Sequence, residues 1–318
     1  MRMNKLFFAI TLTLLLGGAQ AFAQSQVIYD STPLGTLPGN IPSQGAEAYA
    51  FVEFGDGITF AGTARSPKSA TVTLSSWGCQ SGTWYVPGPS ATYTPCVTAA
   101  GAMFSLPITL NIYNAGLTTP GSLIASKTQT FSVPYRPSTD QTNCTGANKG
   151  KWYSVSEAHC YNGLAYNITF DLSSLNIVLP NSVVYGVTYN TSHYGPSPIG
   201  ESAPCYASSG GCPYDSLNIG LDPVVNVGTK SNPDTIFQNS PYAGEYCDSG
   251  TAGTGTFRLD SPTSACWAGY IPAIKFAAYT IATSVDGCKN NGWQSLARAG
   301  GSPFKNQGDC IQYVNTGK

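Results

Sequence analysis

Ten cysteines, two histidines and five glutamates are the residues of this 318-residue chain that invite a chemical reading first. The cysteines are Cys79, Cys96, Cys144, Cys160, Cys205, Cys212, Cys247, Cys266, Cys288 and Cys310, in five local pairs separated by 17, 16, 7, 19 and 22 positions. An even count in local pairs, behind an export signal, is the pattern of disulfides. The expected connectivity is sequential: 79–96, 144–160, 205–212, 247–266 and 288–310. Each bridge would close a loop rich in Gly, Pro, Ser and Thr and contribute about 3 kcal/mol by constraining the unfolded chain. Zinc is the rival use of cysteine, but the chain has no C-x-x-C and its two histidines stand alone.

Nucleophilic catalysis has little to work with. His159 adjoins Cys160 on an expected stapled loop, and His193 sits in "YNTSHYG" at an expected strand end or loop. The G-x-S-x-G, H-E-x-x-H and phosphate-loop patterns are absent. Glycoside hydrolysis needs two carboxylates and leaves no spacing signature. The glutamates are Glu47, Glu53, Glu157, Glu201 and Glu245. Glu53 and Asp56 are close in "EFGD", which also reads as a strand end entering a Gly-rich turn with Asp56 as turn residue.

Carbohydrate binding needs exposed rings to stack on sugars and Asn, Asp or Gln to read hydroxyls. Five Trp and nineteen Tyr are available. Trp77, Trp84, Trp152, Trp267 and Trp293 all lie near cysteines, where packing against a bridge is the default. Trp84 and Tyr85, inside the first stapled loop, and His193 with Tyr194 are the candidate ligand-binding residues. No cofactor is implied. A structural calcium is weighed on Asp215, Asp222 and Asp234, against their use as ordinary turn residues.

Charge narrows the partners. Only 10% of residues are charged, against about 25% in an average globular protein. The chain opens with a basic "MRMNK", an apolar run too short to span a bilayer, and "AFA" before Gln24, which reads as a signal peptide over residues 1–23. Its removal takes Arg2 and Lys5 and moves the formal charge from −1 to −3. No basic stripe is left for a phosphate backbone, so nucleic acid is excluded as a partner. No later segment is apolar for long enough to span a membrane.

The elements that must hold these residues read as β. "SATVTLSS", "PITLNIY", "SLIASKTQTFSV", "LAYNITFDL", "SVVYGVTYN", "LNIGL", "VVNVG" and "IPAIKFAAYTI" carry strand signals between Gly and Pro punctuation. An all-β, antiparallel β-sandwich of jelly-roll type, stapled by disulfides, is expected. Residues 24–46 read as an extended strap, 47–282 as the sandwich and 283–318 as a small disulfide-linked module. The stretch 229–263 reads as loop. No helical period of useful length is seen, and "WQSLARA" is given a turn or two of helix at most.

The stretches "FGDGITFAGTARSPKSATVTLSSWGCQSG", "FSLPITLNIYNAG", "VPYRPS", "VVYGVTYNTSHYG" and "YDSLNIG" resemble a group of uncharacterised secreted bacterial proteins. The ending, "CKNNGW" to "FKNQGDC", resembles a short two-cysteine module at the C-termini of otherwise dissimilar secreted bacterial proteins. This resemblance implies a secreted β protein and brings no catalytic residues with it. The expected function is a secreted, non-catalytic binding or cell-surface-associated protein, with glycan or cell-wall polymer as partner. A secreted polysaccharide hydrolase and a structural component of an extracellular matrix are the alternatives.

Overall fold

The computed structural model describes residues 23–46, 51–82, 84, 86, 93–189, 217–260 and 266–318, and the backbone of 193–194 and 197–198. The first strands are β1 (Gln26–Asp30), β2 (Ser43–Gly45), β3 (Glu53–Thr59), β4 (Ser66–Ser76), β5 (Met103–Asn114) and β6 (Leu123–Pro134). There follow β7 (Trp152–Ser154), β8 (His159–Tyr161), β9 (Leu164–Asp171), β10 (Ser182–Tyr189), β11 (His193–Tyr194) and β12 (Ser197–Pro198). The last are β13 (Leu217–Asp222), β14 (Thr229–Lys230), β15 (Ile236–Asn239), β16 (Arg258–Asp260), β17 (Ile271–Pro272) and β18 (Ile274–Tyr279).

They form two seven-stranded antiparallel sheets. The first runs β1-β18-β4-β13-β17, with β2 on β13 and β9 on β4. The second runs β16-β15-β3-β10-β5-β6, with β14 on β3. The pairs β7–β8 and β11–β12 are small hairpins outside them. The fold is thus an all-β, disulfide-stapled sandwich.

Alternation explains why these strands form and which way they face. In β5, Phe104, Leu106, Ile108, Leu110 and Ile112 are buried while Met103, Ser105 and Pro107 are exposed. A period of two puts one set on the core face. Rings then interlock between the sheets: Phe131 of β6 on Phe170 of β9, with centroids 4.9 Å apart, and Tyr185 of β10 on Phe276 of β18, 5.9 Å apart. Each such large apolar side chain contributes about 1.5–3 kcal/mol on burial.

Four of the expected bridges are present: Cys79–Cys96, Cys144–Cys160, Cys247–Cys266 and Cys288–Cys310. Cys205 and Cys212 lie outside the described residues, as does nearly all of the expected signal segment.

Several boundaries differ from the sequence reading. The strap supplies β1 and β2, and β1 delivers Ile28 and Tyr29 to the core. Within 229–263 the chain makes β14, β15 and β16, because Ile236 faces the core and Phe237 packs on Phe257. "VVNVG" is not a strand; only Val227 bridges, to Asp30. Asp56 is not a turn residue but lies mid-strand in β3, paired with Tyr185.

The C-terminal segment holds two helices, α1 (Val285–Cys288) and α2 (Gln307–Thr316). The ten-residue α2 was not foreseen. It is capped rather than strongly amphipathic: Asn306 accepts from the Asp309 N–H, and Gly317 closes the end at φ 72°. Its Cys310 joins Cys288, Ala282 and Phe304 in a small core separate from the main one, with Trp293, Leu296, Ile311, Tyr313 and Val314 packed around it. "WQSLARA" yields one 3-10 turn, Gly292–Ser295. The segment is also tied to the sandwich. Ala297 N–H donates to Thr280 O at 2.9 Å, Ala282 N–H donates to Ala297 O at 3.1 Å, and the Ser66 hydroxyl reaches Ala299 O.

Candidate functional site

A cleft of about 550 Å³ opens where β2 and β13 meet the loop stapled by Cys247–Cys266. One wall is Pro42, Ser43, Gln44 and Leu221; the other is Gly244 to Cys247 and Cys266, Trp267 and Tyr270. Gln44 is set by the pairing of β2 with β13, where it lies opposite Ile219. Tyr270 is 44% exposed, whereas Trp267 is 8% exposed and meets Phe54 edge-on at 5.7 Å.

A buried polar frame holds the second wall. Asp260, with zero exposure, accepts from Trp267 Nε1 at 2.8 Å, Gln238 Nε2 at 2.9 Å and the Cys247 N–H at 3.1 Å. Arg258 stacks over Tyr246 at 4.0 Å and pairs with Asp248 at 2.9 Å. Burial alone would raise the Asp248 carboxyl, but the bond and charge of Arg258 hold it below the usual carboxylate range. Burial pushes the Glu245 carboxyl up. The cleft thus offers an exposed ring, a buried-edge indole, an amide and one half-buried carboxyl, the groups that stack on and hydrogen-bond a polar, ring-shaped ligand.

Glu53 and Asp56 do not form a catalytic pair. Three positions apart on a strand, they point to opposite faces. On the outer face Glu53 accepts from Asn111 Nδ2 at 2.9 Å and the Tyr113 hydroxyl at 3.0 Å. Burial raises its carboxyl, with those two bonds pulling the other way. On the core face Asp56 is paired with Lys230.

Of the four expected ligand-binding residues, Trp84 alone has a described side chain. It is half-buried and meets Trp77 edge-on with centroids 4.5 Å apart. Tyr85 lies outside the described residues. His193 and Tyr194 form β11, paired with Pro198 and Ser197, and their side chains are outside the described set. Trp152 and Trp267 are buried, and Trp152 donates to Gly163 O at 2.7 Å. His159 lies on β8, its ring 4.6 Å from that of Tyr161.

Among the calcium candidates, Asp222 accepts from the Val224 N–H at 2.9 Å, a turn role, and Asp234 has φ 52°. Asp215 lies outside the described residues. Among the described residues, Cys247, Asp260 and Cys266 cluster their donor atoms, but both sulfurs are spent in the disulfide.

Gln44 and Tyr270 were missed, and Glu245 was named only as one of five glutamates, because the three are far apart in sequence and none sits in a motif. The one available signal was "GEYC" and "CWAGY", aromatics on both sides of one expected bridge. Comparison with family models, curated proteins and solved structures gives no match to this chain.

Proposed function

We propose that this chain is a secreted, non-catalytic binding protein whose cleft takes a carbohydrate. The carrying observation is the lining of that cleft: the exposed Tyr270 ring beside Gln44, Ser43 and Glu245, on a wall held by a disulfide and the Asp260 bonds. An exposed ring that stacks on a sugar is worth about 1 kcal/mol, so weak, additive binding follows. A pre-held wall loses little entropy when ligand arrives. Four disulfides favour an oxidising compartment. Among the described residues no helix is long and apolar enough to cross a membrane. Hydrolysis is the less favoured reading, because Glu245 is the one carboxylate among the described lining residues and the reaction uses two.

A glycan array with the purified protein tests this, followed by Tyr270→Ala, Gln44→Ala and Trp84→Ala. Binding lost in the first two and kept in the third assigns the cleft. Loss only in Trp84→Ala returns the site to the first stapled loop, and no retained glycan at all ends the carbohydrate reading.

A further inference from the structure

We propose that Asp56 and Lys230 condense into an intrachain amide bond between β3 and β14. In the antiparallel register Lys230 lies opposite Ile58, so Asp56 is its diagonal neighbour, within reach of a long side chain. The Asp56 side chain is 1% exposed and that of Lys230 is 9% exposed, and the two are in direct contact. They lie on the face that also carries Phe54 and Ile58, and the fully buried Tyr29 and Tyr185 both feel the Asp56 charge. Removing two charges from water costs several kcal/mol per ion, so neutralising the pair is favoured.

The bonding sorts the carboxyl oxygens into distinct roles. Oδ1 accepts from the Gly57 N–H at 2.8 Å and is placed to remain as the amide carbonyl. Oδ2 faces Lys230 Nζ and is placed to leave. Lys230 Nζ also donates to the carbonyl of Thr235, a bond the single N–H of the product keeps. Both polar atoms of the new amide are therefore satisfied where they lie.

The step balances without a co-reactant. Lys230 passes a proton to Oδ2, leaving a neutral amine and a carboxylic acid. Burial lifts the Asp56 carboxyl to about 6, with the Lys230 charge pulling the other way, so the acid form is accessible. The Nζ lone pair then attacks Cγ, and the Gly57 N–H supports the charge that develops on Oδ1. A second proton moves from nitrogen to Oδ2, the Cγ–Oδ2 bond breaks, and water departs. Carboxylate plus ammonium become amide plus water, with no change in oxidation state. A space of about 250 Å³, lined by Lys230 with Pro223, Pro233, Trp267 and Ile271, lies beside this residue and offers the water a way out.

The test is the intact mass of the purified, reduced and denatured protein. A mass one water below that of its sequence, a branched Asp56–Lys230 peptide after digestion, and a Lys230 amine that resists acetylation in denaturant are expected. Lys230→Met should restore the full mass, whether or not that variant folds well. Full sequence mass with an acetylated Lys230 in the native-sequence protein overturns the proposal and leaves a buried ion pair only.

Discussion

The indole N–H of Trp267 lies 2.8 Å from Oδ2 of Asp260, a carboxylate with no exposure at all. One residue lines the cleft and the other anchors the wall from behind, so the shape of the site depends on a bond the ligand never meets. Asp260→Ala leaves the donors on Trp267, Gln238 and Cys247 without this acceptor. A loss of about 3 kcal/mol is expected in urea unfolding with disulfides intact, against about 1 kcal/mol for Trp267→Phe, which removes one donor. Equal losses would show that the Asp260 bonds do not act together.

Gly186 makes room for Glu53. A Cβ at Gly186 would stand 2.1 Å from Glu53 Oε1, because the Glu53 side chain crosses β10 to reach Asn111 and Tyr113 on β5. Gly186→Ala should cost about 1–3 kcal/mol. Adding Glu53→Ala should make the second change cheaper than it is alone, a non-additivity read from a double-mutant cycle.

Glu53 also sets a pH dependence. Its folded carboxyl titrates above the ordinary 4.5 because burial disfavours the charge. As pH rises the unfolded chain ionises first, so the penalty is absent at low pH, accumulates from the unfolded value upward and levels off above the folded one. Glu53→Gln, which does not ionise, carries no such penalty. Wild-type protein should therefore lose stability relative to Glu53→Gln as pH rises from the ordinary carboxylate value of 4.5, and the loss should level off above the raised folded value. A difference that is flat, or that grows in favour of wild type, contradicts this.

The C-terminal segment should respond as a local unit. Its small core depends on the Cys288–Cys310 bridge. Removing both cysteines should cost about 3 kcal/mol of local stability. Hydrogen exchange should then quicken across 297–314 while the β4 amides stay protected. Truncation after Asp286 should leave the sandwich folded, with a lowered Tm because the Ala297 and Ser66 bonds are lost. An insoluble product would show instead that this segment is part of the main fold.

Much of the fold was legible in the residues alone. The alternation of Phe104, Leu106, Ile108, Leu110 and Ile112 dictates a half-buried strand, since a period of two admits one apolar face. The spacing of the cysteines was enough to pair Cys79–Cys96, Cys144–Cys160, Cys247–Cys266 and Cys288–Cys310, because short loops bring such partners together. The Cys288–Cys310 pair likewise marked 283–318 as a small linked segment, and there Trp293, Leu296 and Phe304 pack in a core of their own. The cleft was not legible. Gln44 and Tyr270 are joined only by the pairing of β2 with β13 and by the bridge behind Trp267, contacts between distant segments that leave no period in the chain. Short strands such as β14 and β16 lack a pattern of their own and form because a neighbouring edge supplies their hydrogen bonds. The same holds for Asp56 and Lys230: 174 positions apart, they meet because β14, which carries Lys230, pairs with β3, which carries Asp56.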